Sequence, residues 1–71
     1  MPQSILICED DPIMSDMLQS LLRQRGYHVC AVQQGEHALE SVRQDPPGLL
    51  ILDLMLPDMD GMEVLRRVRN D

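Results

Sequence analysis

Three short apolar runs, each followed by an amphipathic segment, constrain the fold of this chain more than any other feature. The runs are Ser4–Cys8, Tyr27–Val32 and Leu49–Leu52, and the first and third show no polar alternation. Uninterrupted apolar strands are typical of parallel sheets that are covered on both faces. Helices between such strands form right-handed crossovers. The pattern therefore predicts an α/β fold with the element order β-α-β-α-β-α.

Cap and turn residues locate the three helices. Asp11 is a favoured N-cap residue, and Pro12 after it suits the first helical position. The second helix follows the turn at Gly35. The third follows Asp60, with Glu63 three residues later as in a capping box. The first helix carries an apolar stripe that we expect to be buried, formed by Met14, Met17, Leu18, Leu21 and Leu22.

Length, charge and cysteine content exclude several classes of protein. The 71 residues allow at most one small domain, and the net charge of −6 argues against direct contact of this segment with nucleic acid or an anionic membrane. No signal peptide and no apolar run of about 20 residues is visible, so we predict a cytoplasmic protein. Cys8 and Cys30 do not form a CxxC motif, and we expect two reduced, buried thiols.

The third apolar run implies an incomplete sheet. Leu49–Leu52 is apolar on both faces, as an interior strand would be, yet no later strand follows within the 71 residues. An open apolar edge promotes association with another chain. We therefore expect the fold to continue beyond Asp71, so that residues 1–71 form part of one domain and contain no second domain.

Acidic residues follow two of the predicted strands. Glu9 and Asp10 come directly after the first strand, and Asp53 follows the third. If the second and third strands flank the first, these carboxylates meet beyond the carboxyl ends of the strands, where open parallel sheets bind ligands. Converging anions need a hard cation, and Mg²⁺ is the usual partner where phosphate is also bound. A carboxylate beside such an ion is a plausible nucleophile toward a phosphoryl group.

Three segments of the chain resemble response-regulator receiver domains of two-component signalling. They are Ile5-Leu6-Ile7-Cys8-Glu9-Asp10-Asp11-Pro12, Gly35-Glu36-His37-Ala38-Leu39 and Leu52-Asp53-Leu54-Met55-Leu56-Pro57-Asp58-Met59-Asp60-Gly61. The resemblance covers all 71 residues. It implies a flavodoxin-like (CheY-like) doubly wound parallel sheet, present through its third β-α unit.

The resemblance also implies roles for individual residues. Asp53 would accept a phosphoryl group from a sensor histidine kinase or phosphotransfer protein. Asp10 would bind Mg²⁺ directly, Glu9 mainly through a water, and Met55 through its backbone carbonyl. Gly61 would serve a turn that needs a residue without a Cβ atom. Such a module is a signalling acceptor rather than an enzyme, and its output would be a separate domain that most often controls transcription.

Two other functions are compatible with the sequence. A full receiver has a Thr or Ser after its fourth strand and a Lys after its fifth, and neither position falls within these 71 residues. The chain could therefore act as a structural module that dimerises or swaps through the edge of its third strand. A weaker hypothesis is a phosphatase that uses Asp58 and Asp60, although the third strand ends earlier, at Asp53.

Overall fold

The computed structural model describes residues 3–70 of the chain. Its elements are β1 (Ser4–Cys8), α1 (Pro12–Gln24), β2 (His28–Val32), α2 (Gly35–Gln44), β3 (Leu49–Leu52) and α3 (Gly61–Asn70). The strands form one parallel sheet in the order β2-β1-β3. The predicted α/β element order is confirmed. The second and third strands flank the first, which is the condition under which the acidic residues were expected to meet.

Helix α1 begins and ends at the residues that the cap signals indicated. Asp11 lies outside the helix with extended backbone, and its Oδ1 accepts a hydrogen bond from the Ile13 N–H at 3.0 Å. At the other end Gly26 has a φ of +92°, a conformation that glycine adopts without steric cost. Tyr27 N–H then donates to Leu22 O, closing the helix end. Strand β2 therefore begins at His28, one residue later than predicted.

The register of the sheet brings all three strands to an end at the same level. Cys8, the last residue of β1, is opposite Val32 on β2 and Leu52 on β3. The chain segments that leave β1 and β3 are consequently neighbours. The loop after β3 can therefore contact the loop after β1 at one rim of the sheet.

The sheet separates two layers of apolar core. On one face, α2 and α3 cover a buried cluster of Leu6, Cys8, Ala38, Leu39 and Val64. On the other face, α1 covers a cluster of Ile5, Ile7 and Val29, against which Leu18 and Leu22 pack. β1 is buried on both faces because it is the central strand, which explains the absence of polar alternation in its sequence.

The expectation that the whole apolar stripe of α1 is buried is wrong. Met17 is 62% exposed and Leu21 is 50% exposed, and Met14 is also largely open to solvent. A helix that lies on a flat sheet buries only the side chains along its line of contact. In α1 that line runs through Leu18 and Leu22 and includes the buried Ser15. The methionines lie on the flank of this line.

The expectation of two buried thiols is half correct. Cys8 is buried in the core, whereas Cys30 is exposed. Cys30 lies on β2, and within residues 3–70 no strand pairs with the far side of β2. The sequence pattern of the second run did not show which strand would be at an edge.

Strand β3 has one open edge among the described residues. It pairs with β1 and with no second strand, and Leu49 is 50% exposed. The strand that we expect on its other side thus stays a prediction. In the range 3–70, none of the helices has the length and apolar character that a membrane span requires.

Candidate phosphoacceptor and metal site

Backbone hydrogen bonds hold the two acidic segments side by side. Glu9 N–H donates to Val32 O, and Asp53 N–H donates to Cys8 O, each at 3.0 Å. These contacts extend the sheet ladder by one residue beyond β1 and β3. The positions of Glu9 and Asp53 are therefore set by the sheet itself and not by a free loop.

The predicted convergence of three carboxylates is present. Glu9, Asp10 and Asp53 each place one carboxylate oxygen within 4.8 Å of the other two. Asp10 is exposed, while Glu9 and Asp53 are half-buried, so the cluster opens to solvent at the rim of the sheet. Oxygen donors at such a spacing suit a hard divalent cation such as Mg²⁺ and not a soft metal.

Hydrogen bonds shift the pKa values of Glu9 and Asp53 in opposite directions. A hydrogen bond with Asp53 raises the pKa of Glu9, with further contributions from burial and from the charges of Asp53 and Asp10. The N–H of Met55 lowers the pKa of Asp53, and the hydrogen bond with Glu9 lowers it further. As the pH falls, Glu9 therefore takes up a proton before Asp53 does.

Cys8 lies beneath this cluster but does not belong to its chemistry. Burial raises the pKa of its thiol to about 11, and the charges of Asp58, Asp53, Glu9 and Asp10 act in the same direction. A thiol with such a pKa stays protonated at neutral pH and is a poor nucleophile. The buried cysteine is a core residue, as its sequence context predicted.

The loop after Asp53 folds back on itself. Met55 N–H donates to Asp53 Oδ1 at 3.1 Å, and Met55 pairs with Asp60 in an isolated antiparallel bridge. The Met55 side chain is 82% exposed. The metal-binding role of the Met55 backbone carbonyl, which the resemblance implies, stays a prediction.

Gly61 is required by close packing and not by an unusual backbone angle. Among the described glycines, Gly26 alone has a positive φ. A Cβ atom on Gly61 would lie 2.4 Å from Asp53 O and 2.6 Å from Leu54 Cα. The expectation of a position without Cβ is correct, but its physical reason is the contact between the start of α3 and the backbone of Asp53.

The structure reveals a role for Asp58 that the sequence did not indicate. Its carboxylate accepts hydrogen bonds from Gly35 N–H at 2.7 Å and from Glu36 N–H at 3.0 Å. These two donors lower the pKa of Asp58. The residue thus caps α2 from a loop more than 20 positions away in the sequence, and no local motif could have shown this contact.

Asp60 also caps a helix, as predicted. Its Oδ1 accepts from Met62 N–H at 3.0 Å at the start of α3. The Glu63 carboxylate accepts from Arg66 instead of reaching back as in a capping box. Asp58 and Asp60 both serve helix ends and lie outside the carboxylate cluster, so this geometry gives the phosphatase hypothesis no support.

Taken together, the doubly wound parallel sheet and the carboxylates beyond its strands define a class of α/β proteins that bind ligands at this rim. The model of the response regulator receiver domain family matches residues 5–71. The chain belongs to this family. The fold class predicted from the resemblance is thereby confirmed.

Individual relatives agree with this assignment. The chain is 44% identical over all its 71 residues to the DNA-binding response regulator MtrA of Mycolicibacterium smegmatis, of which it covers 31%. It superposes on the receiver domain of the sensor histidine kinase PA1611 of Pseudomonas aeruginosa with a TM-score of 0.95 and 31% identity. The superposition covers 100% of this chain and 58% of that one. The structure of that domain holds a magnesium ion in its active site cleft.

A third similar structure is the BeF3-activated receiver domain of Klebsiella pneumoniae RstA. Its TM-score is 0.91 and its identity 32%, with 96% of this chain and 58% of that chain covered. The chain therefore spans somewhat more than half of these two solved receiver domains and about a third of the MtrA relative.

Proposed function

We propose that this receiver module accepts a phosphoryl group on Asp53 from a phosphohistidine of a sensor histidine kinase or phosphotransfer protein. Mg²⁺ would be held by Glu9, Asp10 and Asp53, together with the backbone carbonyl of Met55. The observation that carries the proposal is the convergence of three carboxylates within 4.8 Å at the rim of the sheet. The magnesium ion in the PA1611 receiver domain supports the choice of metal.

Asp53 would act as the nucleophile. Its Oδ1 accepts from Met55 N–H, and this contact helps to orient the carboxylate for attack on phosphorus. The new O–P bond forms as the P–N bond to the imidazole breaks, and the departing nitrogen keeps the electron pair. When bound, Mg²⁺ supplies positive charge that reduces the repulsion between carboxylate and phosphoryl group. Glu9 and Asp10 would hold the ion beside Asp53.

The module would be a signalling acceptor and not an enzyme that acts on a separate substrate. Its product would be the phosphorylated chain itself. The MtrA relative is named a DNA-binding response regulator. We propose that the output of the present protein is likewise the control of transcription. That output would be performed by a separate domain, since the net charge of −6 disfavours nucleic-acid contact by this segment.

Modification of the full-length protein by acetyl phosphate with Mg²⁺ tests the proposal. We expect one phosphoryl group per protein by intact-mass spectrometry, and loss of that modification in Asp53→Asn. Asp45→Asn is the matched control, since Asp45 is an exposed acid at the far end of α2. Equal modification of Asp53→Asn and the unsubstituted protein would refute the proposal.

A second candidate function rests on the open edge of β3. Leu49 is 50% exposed and the outer edge of β3 is unpaired within residues 3–70. A second copy of the chain is the proposed occupant, because two such edges related by a twofold axis pair with each other as antiparallel strands. The 71-residue chain would then show a concentration-dependent mass above 8.1 kDa in solution. A monomer at every concentration would exclude this function.

A further inference from the structure

The first residues of the loop that carries the phosphoacceptor are anchored at the start of α3. Asp53 and Leu54 contact Gly61 so closely that a Cβ atom there would overlap their backbone. Gly61 N–H donates to Leu54 O at 2.9 Å, and Met55 pairs with Asp60. In the middle of the loop, residues 56–59, the Leu56 and Met59 side chains pack against the core.

Asp58 adds a polar contact that joins this part of the loop to α2. Its two carboxylate oxygens accept from Gly35 N–H and Glu36 N–H. The α2 N-cap residue, Gln34, makes no side-chain capping bond of its own. The Met59 side chain lies directly on Gly35, where a Cβ atom would come within 2.3 Å of Met59 Cγ. A charged cap at Asp58 and a packing contact at Met59 therefore hold two adjacent residues of the loop against the start of α2.

We infer that Asp58 is a positioning residue, which holds the Met55 backbone in the geometry that the metal and phosphoacceptor site requires. The inference rests on the proposed function. Two residues, Leu56 and Pro57, separate Met55 from Asp58, and proline restricts both its own φ and the residue before it. A shift of Asp58 is therefore transmitted to Met55, whose N–H orients Asp53.

The chain offers a pair of substitutions that separates positioning from charge. Asp58→Asn and Asp58→Ala both remove one negative charge near the site, but Asn keeps an oxygen that can accept from the α2 backbone. We expect Asp58→Ala to weaken Mg²⁺ binding about tenfold, at the lower end of the roughly 10–100-fold typical of residues that support metal ligands. We expect Asp58→Asn to retain most of the affinity.

Two measurements on the chain decide the matter. Mg²⁺ affinity is obtained by isothermal titration, and amide hydrogen exchange at Leu54 and Met55 is recorded without metal. Val29→Ala is the control for general destabilisation, because Val29 is buried beneath α1 on the opposite face of the sheet. Positioning predicts faster exchange and weaker binding in Asp58→Ala, while Val29→Ala lowers the melting temperature with unchanged Mg²⁺ affinity.

Each alternative result has a distinct meaning. Equal losses of affinity in Asp58→Asn and Asp58→Ala would show that only charge matters and would overturn the inference. Unchanged affinity and exchange in Asp58→Ala would overturn it as well, with the proposed metal site intact. If the unsubstituted chain bound no Mg²⁺, the metal site itself would fail, and the inference with it.

Discussion

Substitution of Gly61 by alanine tests how tightly the start of α3 packs against the phosphoacceptor. The added Cβ atom would lie 2.4 Å from Asp53 O, about 1 Å short of ordinary van der Waals contact at 3.4 Å. Both atoms nearest to it belong to backbone, so no side chain can rotate away. Asp53 is fixed in turn by its hydrogen bond to Cys8 O. The strain must therefore be relieved by moving α3 or the site.

The magnitude follows from two opposing effects. Replacing glycine with alanine at an unstrained φ stabilises a protein by about 0.4–1 kcal/mol through the unfolded state. Overpacking of a close contact costs about 1–3 kcal/mol, and an immovable backbone places Gly61→Ala at the upper end. We expect a net loss of about 2 kcal/mol, which lowers the melting temperature of a domain of this size by about 8–16 °C.

Thermal melts followed by circular dichroism measure this effect, with Gly48→Ala as the matched control. The three atoms nearest to a Cβ atom on Gly48 all belong to the side chain of Gln3, which is long and exposed and can rotate away. We expect Gly48→Ala to change stability by less than about 1 kcal/mol. A Gly61→Ala chain that melts at or above the temperature of the unsubstituted chain would refute the packing argument.

Two further predictions concern the core and the cap of α2. Leu39 is 1% exposed and Leu21 is 50% exposed, so in chemical denaturation Leu39→Ala should cost about 2–5 kcal/mol and Leu21→Ala clearly less; similar losses would contradict the two-layer core. Hydrogen bonds from Glu36 and Gly35 hold the pKa of Asp58 below its ordinary value of 3.8. Its contribution to stability is therefore complete above that pH and is lost as the pH falls through the lowered pKa. The difference in melting temperature between the unsubstituted chain and Asp58→Ala should shrink from pH 7 to about pH 3, and a difference that is constant with pH would argue against the charged cap.

Much of the fold could be predicted because its signals are local. The apolar run of β1 and the Asp11-Pro12 and Gly26 signals at the ends of α1 depend on neighbouring residues, and each matches the structure. The exposure of Met17 and Cys30 could not be predicted. It depends on how wide a strip of α1 the sheet covers and on which strand lies at an edge, and both are properties of the assembled layers.

The carboxylate site was accessible to sequence reasoning for a related reason. Glu9 and Asp53 follow a strand directly, Asp10 is one residue further on, and the carboxyl ends of parallel strands meet at one rim. No comparable rule locates the hydrogen-bond partners of Asp58. Its partners, Gly35 and Glu36, are 23 and 22 residues away, and they become neighbours only when α2 and α3 pack on the same face of the sheet.

The amino-acid sequence alone therefore determined the order of strands and helices, the helix ends and the acids that follow the strands, since these depend on period, cap chemistry and adjacency along the chain. Tertiary structure decided the remainder: which apolar side chains are buried, why Gly61 must lack a Cβ atom, and which backbone Asp58 caps. The physical reason is that these contacts join segments distant in sequence, and their distances are set only when the layers pack together.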